Sequence, residues 1–364
     1  MSFHMPTKVI YQKDGVLKNR DTLRTLGERF LVITGKSSKR NGSLDDILDA
    51  LEGKYVYIYD ETPENPPLDI LKPIANKYDD ADVVIGLGGG SPMDTAKAVA
   101  VLIENKNLDP IDLYNKEKYS QAKPIVCIPT TAGTGSEVTQ YSVLTVDGKK
   151  RGFSHECIFP TLSFVDYKYT MTLERDLTIS TALDALSHAT EGFLSFKSTP
   201  FSDVMAIEAI KLIKEFLPRL LDDPENEFFR ERIMFASTLS GMVIAQTGTT
   251  IAHALGYSLT TDKGVKHGLA TAVFLPFEIR EAKYETRNNV KERALEVLKI
   301  FDGSLEKFYN ILGLHLCITF SDEEISNWAR ATSKASHIVS TPGTYNVEKL
   351  IDAYREVLEK YCYN

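Results

Sequence analysis

The chain has 364 residues, with 42 Lys+Arg against 50 Asp+Glu and a net charge of −8 when His is neutral; 43% is hydrophobic, 25% charged and 10% aromatic. These are globular proportions, and they exclude a disordered, collagen-like or disulfide-scaffold chain. The acidic balance argues against a nucleic-acid partner, which needs a basic face.

At roughly 150 residues per domain, the length predicts about two domains. No apolar run approaches the roughly 18 residues of a membrane span, so no membrane partner is expected. The opening MSFHMPTKVIYQKDG lacks an apolar signal core and a cleavage site. Cys127, Cys157, Cys317 and Cys362 form no CxxC and are expected to be reduced and buried. A cytoplasmic protein is the expectation.

TKVIYQ (7–12) reads as an edge strand able to pair across a dimer. FLVITG (30–35), YVYIYD (55–60), ADVVIGLG (81–88) and PIVCIP (124–129) read as strands, and SLDDILDALEG (43–53) and DTAKAVAVLIEN (94–105) as helices between them. Short apolar strands separated by helices predict a parallel sheet covered on both faces, with ligands outside the carboxyl ends of the strands. From about Leu173 apolar residues recur every three or four positions and strand patterns nearly vanish. The expectation is an α/β domain over 1–168 and an all-helical domain over 169–364.

In ADVVIGLGGGSPMDTAK a strand runs into Gly88, Gly89 and Gly90. Ser91 suits a helix N-cap, Pro92 the first helical position and Asp94 the third. A bare glycine turn before a helix N-terminus offers N–H groups to a pyrophosphate, but the spacing is not GxGxxG, and a tight structural turn explains it equally. IPTTAGTGSEVT (128–139) gathers hydroxyls and glycines able to bind a ribose, a phosphate or a nicotinamide amide, or simply to end in the cap of a short helix.

In LDALSHATEG, Asp184 and His188 are four apart, on one face of a helix. His253 and His267 follow, each in small, glycine-rich sequence, with Gly248, Gly256, Gly264 and Gly268 suggesting turns near a crowded site. One carboxylate and three imidazoles suit a divalent first-row metal such as Fe²⁺ or Zn²⁺. Taken singly, each has a bland reading: a surface pair, a core histidine, a helix-start cap. His4, His155, His315 and His337 read as structural or solvated.

GGGSPMDTAK, PTTAGTGSEVT, DALSHATEG and GTTIAHALGY…KHGLAT, in this order and at these gaps, resemble the iron-containing alcohol dehydrogenase family over nearly the whole chain, nearest its NADP-using branch from thermophiles. The resemblance implies a dehydroquinate-synthase-like architecture: an α/β dinucleotide-binding domain and an all-α metal-binding domain, with the site in the cleft between them. It implies Asp184, His188, His253 and His267 as metal ligands. Gly89, Gly90, Ser91 and Asp94 match the pyrophosphate turn, Thr130, Thr131 and Thr134 the second cofactor loop, Asn65 an adenosine-side position and Lys150 the lysine that reaches the ribose. The implied activity is reversible hydride transfer between a primary alcohol or aldehyde and NADP, with iron as Lewis acid, in a homodimer. Zn²⁺ fits the same ligands.

Two positions depart from the family. Where NAD-using members often carry Asp after the first strand, this chain has Gly35, then Lys36, Ser37, Ser38, Lys39 and Arg40. Removing a carboxylate and adding donors favours a 2′-phosphate, so NADP is expected, with Gly35, Ser37 and Lys39 near it. Tyr257 stands where some relatives have a histidine able to carry a proton. Phe153, Ile158 and Phe274 are apolar candidates for the substrate wall.

The competing readings are a dehydroquinate-synthase-like lyase or a glycerol-dehydrogenase-like enzyme using metal and NAD, and a non-catalytic metal- or nucleotide-binding module. The lyase needs several Lys or Arg beside the metal, where the sequence offers only Lys263 and Lys266, before His267.

Overall fold

The structure is a computed structural model that describes residues 3–36 and 38–362. It divides into two compact units. One holds His4–Glu174 with Glu225–Met234; the other holds Arg175–Pro224 and the chain from Phe235 onward.

The first unit is built on eight strands: β1 (Lys8–Tyr11), β2 (Arg29–Thr34), β3 (Tyr55–Tyr59), β4 (Val83–Gly88), β5 (Ile125–Pro129), β6 (Tyr141–Val146), β7 (Lys149–Ser154) and β8 (Leu162–Val165). Six of them form one sheet in the order β1-β8-β5-β4-β2-β3, every pair parallel. β2, β4, β5 and β8 are buried along almost their whole length, as runs such as FLVI and VVIGL require. β1 is indeed an edge strand. β8 was not anticipated. Nor was the β6–β7 hairpin, whose turn at Asp147 and Gly148 has both φ values positive, 49° and 74°. Asp-Gly is the residue pair such a turn favours.

Two apolar layers cover the sheet. The helix Ser43–Ala50, which follows β2, packs Leu44 and Ile47 on one face with Phe30, Val32 and Ile85. The helix Gly90–Glu104, which follows β4, packs on the other with Leu31, Ile33 and Val84. β2 and β4 are neighbours, with Thr34 opposite Leu87. Their chains therefore leave to opposite faces, which opens a crevice at their carboxyl ends, where such sheets bind ligands.

The second unit carries no strand among the described residues. Its helix Arg175–Leu194 is buried on every side from Ala182 to Leu194, so it is a central helix rather than an amphipathic surface one. Around it stand Pro200–Asp222, Ile251–Lys263, His267–Ala272 and Leu275–Ala282. Among the described residues no helix is long and apolar enough to cross a membrane. All four cysteines are free thiols, but the expectation that they are buried holds only for Cys127; Cys317 is exposed, and Cys157 and Cys362 are half-buried.

Candidate metal centre and nucleotide crevice

Asp184, His188 and Glu191 are spaced i, i+4 and i+7 on the central helix, so they form one stripe. His253 lies in the first turn of Ile251–Lys263, and His267 is the first residue of His267–Ala272. These elements place three imidazole nitrogens round one carboxylate oxygen. The Nε2 atoms of His188, His253 and His267 stand 3.8, 3.7 and 3.9 Å from Asp184 Oδ1. Asp184, His188 and His253 are buried, with donor atoms all within 4.8 Å of one another, while the His267 side chain is 28% exposed. The His188 and His253 rings stack at 4.8 Å, 14° from parallel, and His267 meets His253 edge-on at 5.3 Å.

Those separations are too long for hydrogen bonds. Donors arranged tetrahedrally about 2.1 Å from a common ion would stand roughly 3.4 Å apart. Asp184 Oδ1 and His253 Nε2 are buried, and neither has a hydrogen-bond partner among the described residues. Buried polar atoms are rarely left so, and an ion would satisfy both. Burial alone would raise the pKa of Asp184, but the surrounding imidazoles, His188 foremost, outweigh it and hold the group ionised well below its usual range. A mixed oxygen and nitrogen donor set fits Fe²⁺ or Zn²⁺.

Sequence reasoning missed the groups behind His253. Its Nδ1 is hydrogen-bonded to Glu191 Oε2, and the fully buried Glu191 also accepts the backbone N–H groups of Thr250 (3.1 Å) and His253 (2.9 Å) through Oε1. Glu278 accepts from the Ala252 N–H at 3.2 Å. The i+7 spacing of Glu191 from Asp184 was the available signal. Tyr257 stacks on His267 (5.7 Å, 12°), and His337 meets Tyr257 edge-on at 5.7 Å. His337 is therefore drawn towards this cluster, although its sequence shows no partnership; burial foremost, with His253 beyond it, pushes its pKa down to about 4.

Two of the glycines expected in turns have another use. Gly256 and Gly268 lie inside helices, where a Cβ would fall 2.8 Å from Ala270 O and 1.8 Å from Ser180 O. Only glycine lets His267–Ala272 approach the central helix this closely. Gly248 and Gly264 do turn, with φ of 69° and 68°.

In the crevice, Gly88 has φ +147°, and the helix begins at Gly90 with Gly89 as its N-cap. Ser91 is therefore not the cap; its Oγ accepts the N–H of Asn65 at 3.2 Å. Asn65 itself has φ +52°, and its carbonyl accepts from Thr145 Oγ1 at 2.8 Å. Lys150 lies opposite Thr145 in the hairpin, so Asn65, Ser91 and Lys150 come into one neighbourhood. The second loop closes on the first. Thr130 N donates to Gly88 O at 2.9 Å, and Cβ atoms on Gly89 and Gly90 would meet Thr131 at 3.3 Å and Thr134 at 3.0 Å.

Asp94 is committed elsewhere. One carboxylate oxygen accepts from Ser136 Oγ at 2.9 Å and the other from the Val143 N–H at 3.0 Å. Gly35 follows β2 directly. Lys39 Nζ lies 2.6 Å from Asp60 Oδ2, just past β3, and Ser37 lies outside the described residues. The substrate-wall expectation fails for three residues. Phe153 and Ile158 sit in the apolar layer against Gly90–Glu104, and Phe274 is fully buried edge-on to Tyr354 at 5.3 Å. Apolar side chains of this size close to a site are as well used by a core.

Lys97, one turn beyond Asp94, is fully buried. Its Nζ donates to Ser136 O (2.7 Å), Ser136 Oγ (2.8 Å), Thr139 O (3.0 Å) and Tyr141 O (2.8 Å), which ties down the end of the threonine loop. Lys97→Met would strand those carbonyls. We expect a loss of about 3 kcal/mol of stability, seen in thermal melting, and weaker nucleotide binding by calorimetry as the loop loosens.

A parallel sheet with a glycine turn at its carboxyl edge, and a helical unit holding a carboxylate ringed by three imidazoles, suit an enzyme that uses a nucleotide and a metal ion. The comparisons make that specific. The family model "Iron-containing alcohol dehydrogenase" matches residues 6–167, and "Fe-containing alcohol dehydrogenase family, C-terminal" matches 178–308. The chain belongs to the iron-containing alcohol dehydrogenase family. A long-chain primary alcohol dehydrogenase of Thermoanaerobacter ethanolicus is 34% identical over 73% of this chain and 70% of its own. An iron-containing alcohol dehydrogenase from Thermotoga maritima is 49% identical with a TM-score of 0.94, covering 98% of this chain and 99% of its own. A sulfoacetaldehyde reductase from Bifidobacterium kashiwanohense, solved with NAD⁺, is 27% identical with a TM-score of 0.88, covering 98% of each chain.

Proposed function

We propose that this protein is an iron-dependent, NADP-linked alcohol dehydrogenase that interconverts primary alcohols and aldehydes, with Zn²⁺ an alternative ion. The observation that carries the reading is the buried Asp184 oxygen with three imidazole Nε2 atoms 3.7–3.9 Å away. When bound, the metal supplies Lewis acidity towards an alcohol or carbonyl oxygen, and the nucleotide supplies the hydride chemistry.

The chain's own groups do the rest. Asp184, His188, His253 and His267 hold the ion in the 169–364 domain, and the partly exposed His267 leaves that side open to a small substrate. In the 1–168 domain the N–H groups from Gly89 to Ser91, at the N-terminus of Gly90–Glu104, receive the pyrophosphate. Thr130, Thr131 and Thr134 line it, Asn65 stands on the adenosine side, and Lys150 reaches towards the ribose. Asp94 supports this turn from behind by fixing Ser136 and Val143. The metal-linked lyase reading is less well supported, because Lys263, one of its two candidate cations, is ion-paired with Glu324. A cytoplasmic homodimer with β1 at the sheet's edge completes the proposal.

The preference for NADP rests on the residue after β2. A Cβ on Gly35 would meet nothing closer than Thr62 O at 3.6 Å, and its φ is not in the left-handed region. Gly35→Asp is therefore sterically tolerated and places a carboxylate where a 2′-phosphate is expected. The NADP/NAD ratio of kcat/KM should fall by about tenfold or more, which is 1.4 kcal/mol of discrimination. An unchanged ratio, measured with one alcohol and both nucleotides, would place the 2′-phosphate elsewhere.

A further inference from the structure

We propose that Glu191 is a positioning residue: it holds the Nδ1 side of His253 and so presents Nε2, lone pair outward, towards the metal. The inference rests on the metal reading above and extends it to a residue that is not itself a ligand.

The geometry is that of a cap supplied from other helices. His253 sits on a helix whose N-cap is Thr250, and the first N–H groups of such a helix have no partner within it. Here they are met by two carboxylates from elsewhere in the fold. Glu191 Oε1, from the central helix, takes the N–H groups of Thr250 and His253, while Glu278 Oε2, from Leu275–Ala282, takes that of Ala252. Glu191 thus grips His253 twice, at its backbone and at its ring. The two contacts restrain ring rotation, and an Nδ1 proton has Glu191 as its acceptor when Nε2 faces a metal. A neutral imidazole has one donor and one acceptor nitrogen, so Nε2 is left as the acceptor.

Thr250 ties the two carboxylates together: its Oγ1 lies 3.1 Å from Glu191 Oε1 and 2.5 Å from Glu278 Oε1.

The test compares full-length wild type, Glu191→Gln and Thr250→Val in competition titrations of Fe²⁺ or Co²⁺ against a chelator, with melting of the metal-free proteins alongside. Glu191→Gln keeps the side chain's size but loses its charge, and we expect metal affinity to fall ten- to a hundredfold, as for other partners of metal-bound histidines. The Co²⁺ absorption spectrum should change as the His253 ring loosens. Thr250→Val removes only the bridging hydroxyl and should weaken metal severalfold in the same direction. Glu191→Gln that melts like wild type without metal yet binds Co²⁺ with wild-type affinity and spectrum would overturn the inference. Should Glu191→Gln misfold, wild-type affinity in a folded Thr250→Val would overturn it instead. Failure of the wild type to bind either metal would contradict the metal reading, a separate outcome.

Discussion

Asp184→Ala and His267→Ala are each expected to strip the metal and abolish turnover while leaving nucleotide binding within about twofold of wild type. Asp184 is the hub of the cluster, since its Oδ1 is the atom that all three imidazoles face. It is also buried, and its removal leaves the three imidazoles without their shared carboxylate. His267 is the more exposed donor, and its loss should disturb the fold least. Losing a Lewis acid worth several kcal/mol corresponds to a fall of about a thousandfold or more in kcat/KM. Nucleotide affinity is the internal control, because Gly89, Gly90, Thr131 and Thr134 belong to the other unit. Metal content by atomic absorption and nucleotide affinity by calorimetry check the two halves. Activity retained by both variants would remove the metal assignment.

The second large effect comes from a residue with no side chain. Gly268→Ala puts a Cβ 1.8 Å from Ser180 O and 2.9 Å from the Asp184 N–H nitrogen. Neither atom is free to move, because both are backbone atoms of the buried central helix. The helix His267–Ala272 must shift away, carrying His267 from its place opposite Asp184. We expect a loss of about 3 kcal/mol or more, at the upper end for overpacking, together with loss of tight metal binding. Melting with and without metal separates the two effects: the metal-induced rise in melting temperature seen for wild type should largely vanish. A Gly268→Ala protein with wild-type stability and metal content would show that the close approach is not needed.

What was legible in the sequence follows from how local each signal is. β2, β4 and β5 were readable because a strand buried on both faces must be apolar throughout. The four-residue β8, LSFV, is too short for a pattern, and only its place between β1 and β5 makes it a strand. The Asp-Gly pair at the tip of β6–β7 was a readable hairpin signal that went unread. Ser91 has good capping chemistry, but Asn65, distant in sequence, claims its hydroxyl, and Gly89 caps the helix.

The same distinction runs through the site. Asp184 and His188 are one turn apart and announced themselves, whereas Thr250 and Glu278 join the cluster only through tertiary contacts. Glu191 lies in the same segment, one turn beyond His188, and was passed over. Lys39 was expected near a 2′-phosphate, and the fold sets its Nζ 2.6 Å from Asp60 Oδ2, a neighbour the sequence does not show. Phe153, Ile158 and Phe274 were ambiguous, since an apolar side chain says nothing in sequence about whether it faces a cavity or a core.

The proposed activity is oxidation of an alcohol through a metal held by Asp184 and three histidines. Its most direct test is an anaerobic assay of protein loaded with Fe²⁺, following NADPH formation across a panel of short primary alcohols, with EDTA-treated protein as the control. NADPH formation is expected with at least one alcohol, with its loss on chelation and its return when Fe²⁺ or Zn²⁺ is restored. No turnover of any alcohol by protein shown to hold both metal and NADP, or turnover that survives chelation undiminished, would contradict it.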